Sequence, residues 1–167
     1  MDLNKFKSGE DLSRISDEFR SSGRRLVFTN GCFDLLHVGH VRYLQQAREL
    51  GDALVVAVNS DDSVRSLKGP NRPINPQEDR MEVLASLSCV DYVTPFAGQR
   101  VTELLRKVRP QVYAKGGDYT VESLDRGEVA ALKDIAAEII ILPLVPGKST
   151  TRVIQRMEAG RDEEFSP

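Results

Sequence analysis

The stretch RLVFTNGCFDLLHVGHVRYLQQAREL, Arg25 to Leu50, decides how this chain is read. It opens on RLVFT (25–29), a short apolar run of the length of one buried strand. It closes on Val41, Leu44, Ala47 and Arg48, spaced as one face of a helix that runs to Leu50 and stops at Gly51. Between them lies NGCFDLLHVGH, which holds both histidines of the chain, His37 and His40. A strand that feeds a helix through a polar turn is the first half of a parallel βαβ unit.

Working outward, the same alternation repeats. Upstream, DLSRISDEF (11–19) sets Leu12, Ile15 and Phe19 on one helical face, and Gly23 ends that helix. Downstream, ALVVAVN (53–59) is apolar, β-branched and too short for a helix, which suits a strand buried on both faces. SDDSVRSL is a short helix with a capping serine. KGPNRPINPQ is the one long loop, and PQEDRMEVLASL (76–87) is a helix with Pro76 at or near its first position. DYVTPF holds a strand, VTELLRKV (101–108) a helix, and QVYAK (111–115) a strand that runs into GGDY. Residues 123–137 read as helix, EIIILPL (138–144) as a buried strand, and STTRVIQRM (149–157) as a last helix capped by Ser149. Strands alternating with helices predict a single-domain α/β fold, a Rossmann-like doubly wound parallel sheet with helices on both faces. The expected organisation is a helical extension over 1–23, one α/β domain over 24–157 and a charged, frayed tail over 158–167.

Composition narrows the class. The 167 residues are 40% hydrophobic and 29% charged, close to a globular average. A net charge of −2 argues against a general nucleic-acid surface, but not against a local cluster of cations for a phosphorylated small molecule. No apolar run approaches the ~20 residues of a membrane-spanning helix. The N-terminus, MDLNKFKSGEDLSRISDEF, lacks the apolar core of a signal peptide, so the expected location is the cytoplasm, away from membranes. Cys32 and Cys89 match no metal spacing, and each is most simply a small buried side chain.

Three unusual segments fall at strand ends: NGCFDLLHVGH, KGGDY and GKSTTR. In an open parallel sheet, ligands bind beyond the carboxyl ends of the strands where the strand order reverses. Gly31 permits a sharp turn, and Gly39 clears space at a helix start whose N–H groups suit phosphate. His37 and His40 face the same way on a helical turn, and two imidazole donors aimed at one spot suit phosphate oxygens gaining charge in a transition state. A zinc pair lacks a third ligand. A serine–histidine triad lacks its G-x-S-x-G elbow, and GKST (147–150) lacks the upstream glycine of a P-loop. A Gly-Gly-Asp turn alone is more often only a turn, whereas three hydroxyls in STT exceed what a cap needs. Lys68, Arg72 and Arg80, on and after the long loop, supply positive charge that together suits a polyanion.

NGCFDLLHVGHVRYLQQA resembles the signature of the nucleotidyltransferase superfamily marked by a histidine–x–glycine–histidine motif, in its cytidylyltransferase-like branch, and STT matches the family's second signature. The resemblance extends over nearly all of residues 24–157. It implies that His37 and His40 contact nucleotide phosphates and stabilise the transition state, with Lys68 as the third catalytic group. It implies phosphate contact by Arg80, a first loop shaped by Asn30, Gly31, Cys32, Phe33, Asp34 and Gly39, and a nucleoside end lined by Lys115, Gly116, Gly117 and Asp118. Ser149, Thr150 and Thr151 would hold the triphosphate, Asn30 and Arg72 are candidates for acceptor contact, and Arg152 has no set role. Within the branch, NGCFDLLHVGHVRYL, VAVNSDDSV, LKGPNRPINPQEDRMEVL, VRPQVYAKGGDY and STTRVI, in this order, look like the adenylyltransferases of ADP-heptose synthesis in their stand-alone form. That implies transfer of AMP from ATP, with Mg²⁺, to D-glycero-β-D-manno-heptose 1-phosphate, and is compatible with a homo-oligomer. A glycerol-3-phosphate cytidylyltransferase and a catalytically silent nucleotide-binding module are the competing readings.

Overall fold

The computed structural model describes residues 3–117, 120, 123–143, 150, 153 and 154. A 3-10 turn (Leu3–Lys5) precedes α1 (Gly9–Ser21) and β1 (Leu26–Gly31). There follow α2 (Val38–Arg48), β2 (Ala53–Asn59), α3 (Asp61–Lys68), α4 (Gln77–Ala85) and β3 (Tyr92–Phe96). The chain continues through α5 (Thr102–Val108), β4 (Val112–Gly116), α6 (Arg126–Asp134) and β5 (Glu138–Leu142). The five strands form one sheet in the order β3-β2-β1-β4-β5, and every neighbouring pair is parallel. The predicted doubly wound fold is therefore the observed one, and the order reverses between β1 and β4.

Side-chain alternation sorts the core into two layers. Val27 of β1, Leu54 and Val56 of β2 and Val112 of β4 pack with Leu44 of α2 and Leu84 of α4. Phe28, Val55 and Tyr113 point to the other face, onto Leu12 of α1, Leu105 of α5 and Leu132 of α6. Every residue of β2 is buried, as its uninterrupted apolar run requires. β5 reads just as apolar, yet it stands half-buried, because it pairs only with β4 at the edge of the sheet.

Local chemistry sets the boundaries. Ser8 and Asp11 form a capping box on α1, and Gly23, at φ +69°, turns the chain out of it. Ser60 caps α3 as predicted. Pro76 is the N-cap of α4, one position before its first turn. The helix expected over 123–137 is shorter, since the Asp125 carboxylate accepts from the N–H groups of Gly127 and Glu128 and starts it at Arg126. Ala136, at φ +54°, then redirects the chain into β5. The segment before α1 was not legible as structure: Phe6 bridges Val93 on the outer edge of β3, and Lys5 Nζ donates to the carbonyls of Leu87 and Val90. Leu12 and Phe19 lie in the core, so described residues before β1 are integral to the fold. The tail 158–167, Asp118, Ser149, Thr151 and Arg152 lie outside the described residues, whereas Thr150, Val153 and Ile154 are helical.

At the reversal, β4 and α2 approach through a glycine. A Cβ on Gly116 would stand 2.7 Å from Cε2 of Tyr43, whose hydroxyl is held by Thr29 Oγ1 (2.6 Å) and the Ala114 carbonyl (3.0 Å). The Tyr43 ring is buried and pinned by both bonds, so it has no room to move. Gly116→Ala is expected to cost roughly 1–3 kcal/mol, the ordinary penalty of overpacking. Urea unfolding checks this, and an unchanged midpoint would show that the helix can retreat.

Candidate active site

The loop from β1 to α2 is built around a strained aromatic. Phe33 has φ +46°, a left-handed conformation costly for a bulky side chain. Its ring lies over Gly31, where an added Cβ would meet Phe33 Cε2 at 3.0 Å. The same ring meets His40 edge-on, with centroids 5.3 Å apart. His40 in turn stacks on His37 at 3.9 Å and 20°. His37 is the N-cap residue of α2 but makes no side-chain cap bond, and Gly39 is buried in the first turn. The spacing predicted that both imidazoles face one way, and the structure brings them together at the switch point of the sheet.

Burial of His40, and secondly the neighbouring His37, lower its pKa from 6.5 to about 4, while the Leu35 backbone pulls the other way. Near neutral pH His40 is therefore an uncharged imidazole with one N–H to donate. The Leu35 carbonyl also accepts from the Thr150 hydroxyl at 3.3 Å, which seats the start of the last helix beside the histidine loop.

Cys32 extends the same loop, its Sγ 3.9 Å from Asn59 Oδ1. Burial raises its pKa, against the opposing charges of Lys68, Arg80 and Arg72. The thiol is thus held protonated, which removes the case for a reactive thiolate. That same influence locates Lys68, exposed at the end of α3, within electrostatic range of the loop.

Two expected ligand contacts have other work. The Arg80 side chain is 1% exposed, and its guanidinium donates to the carbonyls of Asn75 (3.0 Å), Cys32 (2.5 Å) and Asn59 (2.8 Å) and to Asp61 Oδ1 (2.7 Å). It clamps the ends of β1 and β2, the start of α3 and the long loop, instead of standing open to phosphate as the resemblance implied. Arg72 pairs with the buried carboxylate of Asp34. Asp34 also accepts from the N–H groups of Ile74 (2.7 Å) and Asn75 (3.1 Å), and so staples the long loop onto the histidine loop. Arg72 thereby ties the long loop to the histidine loop.

On the opposite face of the sheet, Asn30 Oδ1 accepts from the Tyr113 hydroxyl (2.8 Å) and from Lys115 Nζ (3.2 Å). Asn30 and Lys115, which the sequence placed in different segments, thus meet across β1 and β4. Gly116 ends β4, and the Gly117 N–H donates to the Leu142 carbonyl. A cleft of about 290 Å³ opens between the loop and α4, lined by Phe33, Asp34, Leu36, Asn75, Asp79, Arg80, Glu82 and Val83. It includes neither histidine, and its carboxylates do not suit a triphosphate. Sequence reasoning missed the Asp34 staple, the Arg80 clamp and the buried Tyr113. Each depends on partners far along the chain, for which no local signal exists.

Stacked imidazoles thus lie beside a helix start, at the reversal point of a parallel sheet. Residues 28–156 match the model of the cytidylyltransferase-like family, and the chain belongs to that family. Such enzymes generally use a divalent metal with their nucleoside triphosphate. The chain is 50% identical over 153 residues to the bifunctional protein HldE of a Nitratiruptor species, covering 92% of this chain and 32% of that protein. It is 46% identical over 161 residues to the bifunctional protein HldE of Trichlorobacter lovleyi, covering 96% of this chain and 32% of that protein. The chain therefore spans about a third of the length of these relatives. The crystal structure of the lipopolysaccharide core biosynthesis protein from Thermoplasma volcanium is similar in fold, with a TM-score of 0.61 and 27% identity over 74% of this chain and 98% of that one. Among the described residues, no helix is long and apolar enough to cross a membrane.

Two stability measurements test this geometry. Arg80→Met is expected to lose roughly 3–5 kcal/mol, because it leaves buried acceptors without their cation, and Arg80→Lys is not expected to restore it, since an ammonium cannot span four oxygens. Wild-type stability in either variant would refute the clamp. The second concerns His40. Below pH 6.5 the unfolded imidazole takes a proton that the folded one refuses, so stability falls as pH drops to about 4 and then levels. The fall amounts to about 3 kcal/mol from the 6.5-to-4 difference, and a His40→Gln variant should lack it in urea unfolding across that range.

Proposed function

We propose that this chain transfers AMP from ATP to D-glycero-β-D-manno-heptose 1-phosphate, giving ADP-heptose and pyrophosphate. The observation that carries the reading is the His37–His40 stack at the start of α2, beside the β1–β4 reversal. The choice of acceptor is supported by the order of its segments, by its similarity to the bifunctional HldE proteins and by its structural neighbour, a lipopolysaccharide core biosynthesis protein.

An oxygen of the sugar phosphate attacks the α-phosphorus of ATP in line, and pyrophosphate leaves from the opposite side. The nucleophile is already ionised near neutral pH, so the site needs no strong base. His37 and His40 donate to phosphate oxygens and are most useful as charge accumulates there. Two charged rings 3.9 Å apart would repel in the free enzyme, so His40 takes its second proton, and with it a second donor, only as the anion binds. Thr150, with Ser149 and Thr151 of the same motif, is assigned to the triphosphate, and Lys68 to charge neutralisation from the end of α3. Mg²⁺ enters as part of the substrate, on the phosphates of ATP. No described group of three or more His, Cys, Asp or Glu side chains is arranged to hold it.

The test is pyrophosphate release with Mg²⁺, crossing ATP and CTP with heptose 1-phosphate and glycerol 3-phosphate. Release with ATP and the heptose phosphate alone is the expected result. Release with CTP and glycerol phosphate would overturn the substrate and retain the mechanism, and nucleotide binding without release in any combination would make the chain a binding module. His40→Ala should fold and lose about 10²–10³ in rate, the usual cost of one charge-stabilising donor. Near-normal turnover would refute the role of that ring.

A further inference from the structure

Glu128 is a buried carboxylate for which the mechanism above has no use. It lies in the first turn of α6 and is 4% exposed. One oxygen accepts from the backbone N–H of Val101, just before α5, at 3.4 Å. The other faces the Tyr113 hydroxyl at 3.4 Å. The one proton of that hydroxyl is shared between Glu128 and Asn30 Oδ1, the latter at 2.8 Å, and Lys115 Nζ donates to both the hydroxyl and Asn30 Oδ1, each at 3.2 Å. The four side chains form one polar column, running from beneath the sheet edge up to the ammonium. A carboxylate is costly to bury without a compensating charge, and Lys115 is the nearest cation of the column.

The column stands on the α5–α6 face of the sheet edge, whereas the histidines rise on the α2 face. In-line displacement needs the attacking and leaving groups on opposite sides of the α-phosphorus. With the histidine loop and Thr150 assigned to the ATP phosphates, the cation on the other face of the switch point, which the resemblance put at the nucleoside end, is left for the acceptor. We propose that Glu128 is a positioning residue which, through Tyr113, holds Asn30 and Lys115 as the binding group for the phosphate of the acceptor sugar. This rests on reading the site as a transferase for a sugar 1-phosphate.

The charges around Lys115 fit that arrangement. Burial lowers its pKa, Arg100 lowers it further, and Glu128 is the largest counterweight. Removing the Glu128 charge while keeping its shape should therefore lower the Lys115 pKa. The ammonium is then lost at a lower pH, and acceptor capture weakens with it.

The experiment compares wild type with Glu128→Gln and, in case that variant fails to fold, with Tyr113→Phe. In steady-state kinetics the KM for heptose 1-phosphate should rise roughly tenfold, the cost of weakening a charged hydrogen bond. The KM for ATP should stay within about twofold, the scatter of an unaffected site. In Glu128→Gln the alkaline limb of kcat/KM for the acceptor should move to lower pH. A purely structural role would raise both KM values together and leave that limb in place, which would overturn the proposal. Independently of any substrate, NMR titration of the Lys115 side chain should give a lower pKa in Glu128→Gln than in wild type. An unchanged value there overturns the positioning role, while a lowered value with no turnover of heptose phosphate by wild type overturns only the reading of the acceptor.

Discussion

The carboxyl edge of the sheet depends on one buried guanidinium. Arg80 reaches from α4 to the carbonyls that end β1 and β2, to the first residue of α3 and to the long loop. A buried cation must be paired and hydrogen-bonded, so the four segments are held in the one arrangement that satisfies it. Asp61 pairs with it, and a second buried ion, Asp34 of the histidine loop, has Arg72 and two backbone N–H groups as partners. The ions at the site thus serve first to fix the loops, and only then does the fixed loop present its imidazoles.

With the loop fixed, its strain has a use. Phe33 is kept in a left-handed conformation because Gly31 leaves room for its ring, and the ring braces His40. His40 is packed between Phe33 and His37 and is held uncharged by burial. Catalysis by charge stabilisation works best when donors are already in place, since no reorganisation is then needed during the reaction. Ring packing on both sides of His40 contributes to that preorganisation.

The sheet divides labour between its faces. The α2–α4 face carries the imidazoles, and the α5–α6 face carries Asn30, Tyr113, Lys115 and the buried Glu128. Because strand side chains alternate, residues 27 and 29 serve one face while 28 and 30 serve the other. Polar groups on both sides of the strand reversal follow from that alternation, and an in-line reaction with two anionic reactants needs two sides.

Much of this was legible in order along the chain. Apolar runs such as ALVVAVN marked the strands, helical spacing marked α1 and α2, and Ser60 marked the start of α3, because these signals depend on neighbours within one turn or one strand. The histidine pair was legible for the same reason, being set by a spacing of three. Tertiary structure alone decided what depends on distant partners. It decided that Arg80 and Arg72 serve the loops, that Asn30 meets Lys115, that Phe6 covers an edge strand, and that β5 is half-exposed despite its composition. The physical reason is that a charge has no preferred partner until folding removes its water. Where Arg80 and Glu128 are buried is set by strand order and packing, which no local pattern encodes.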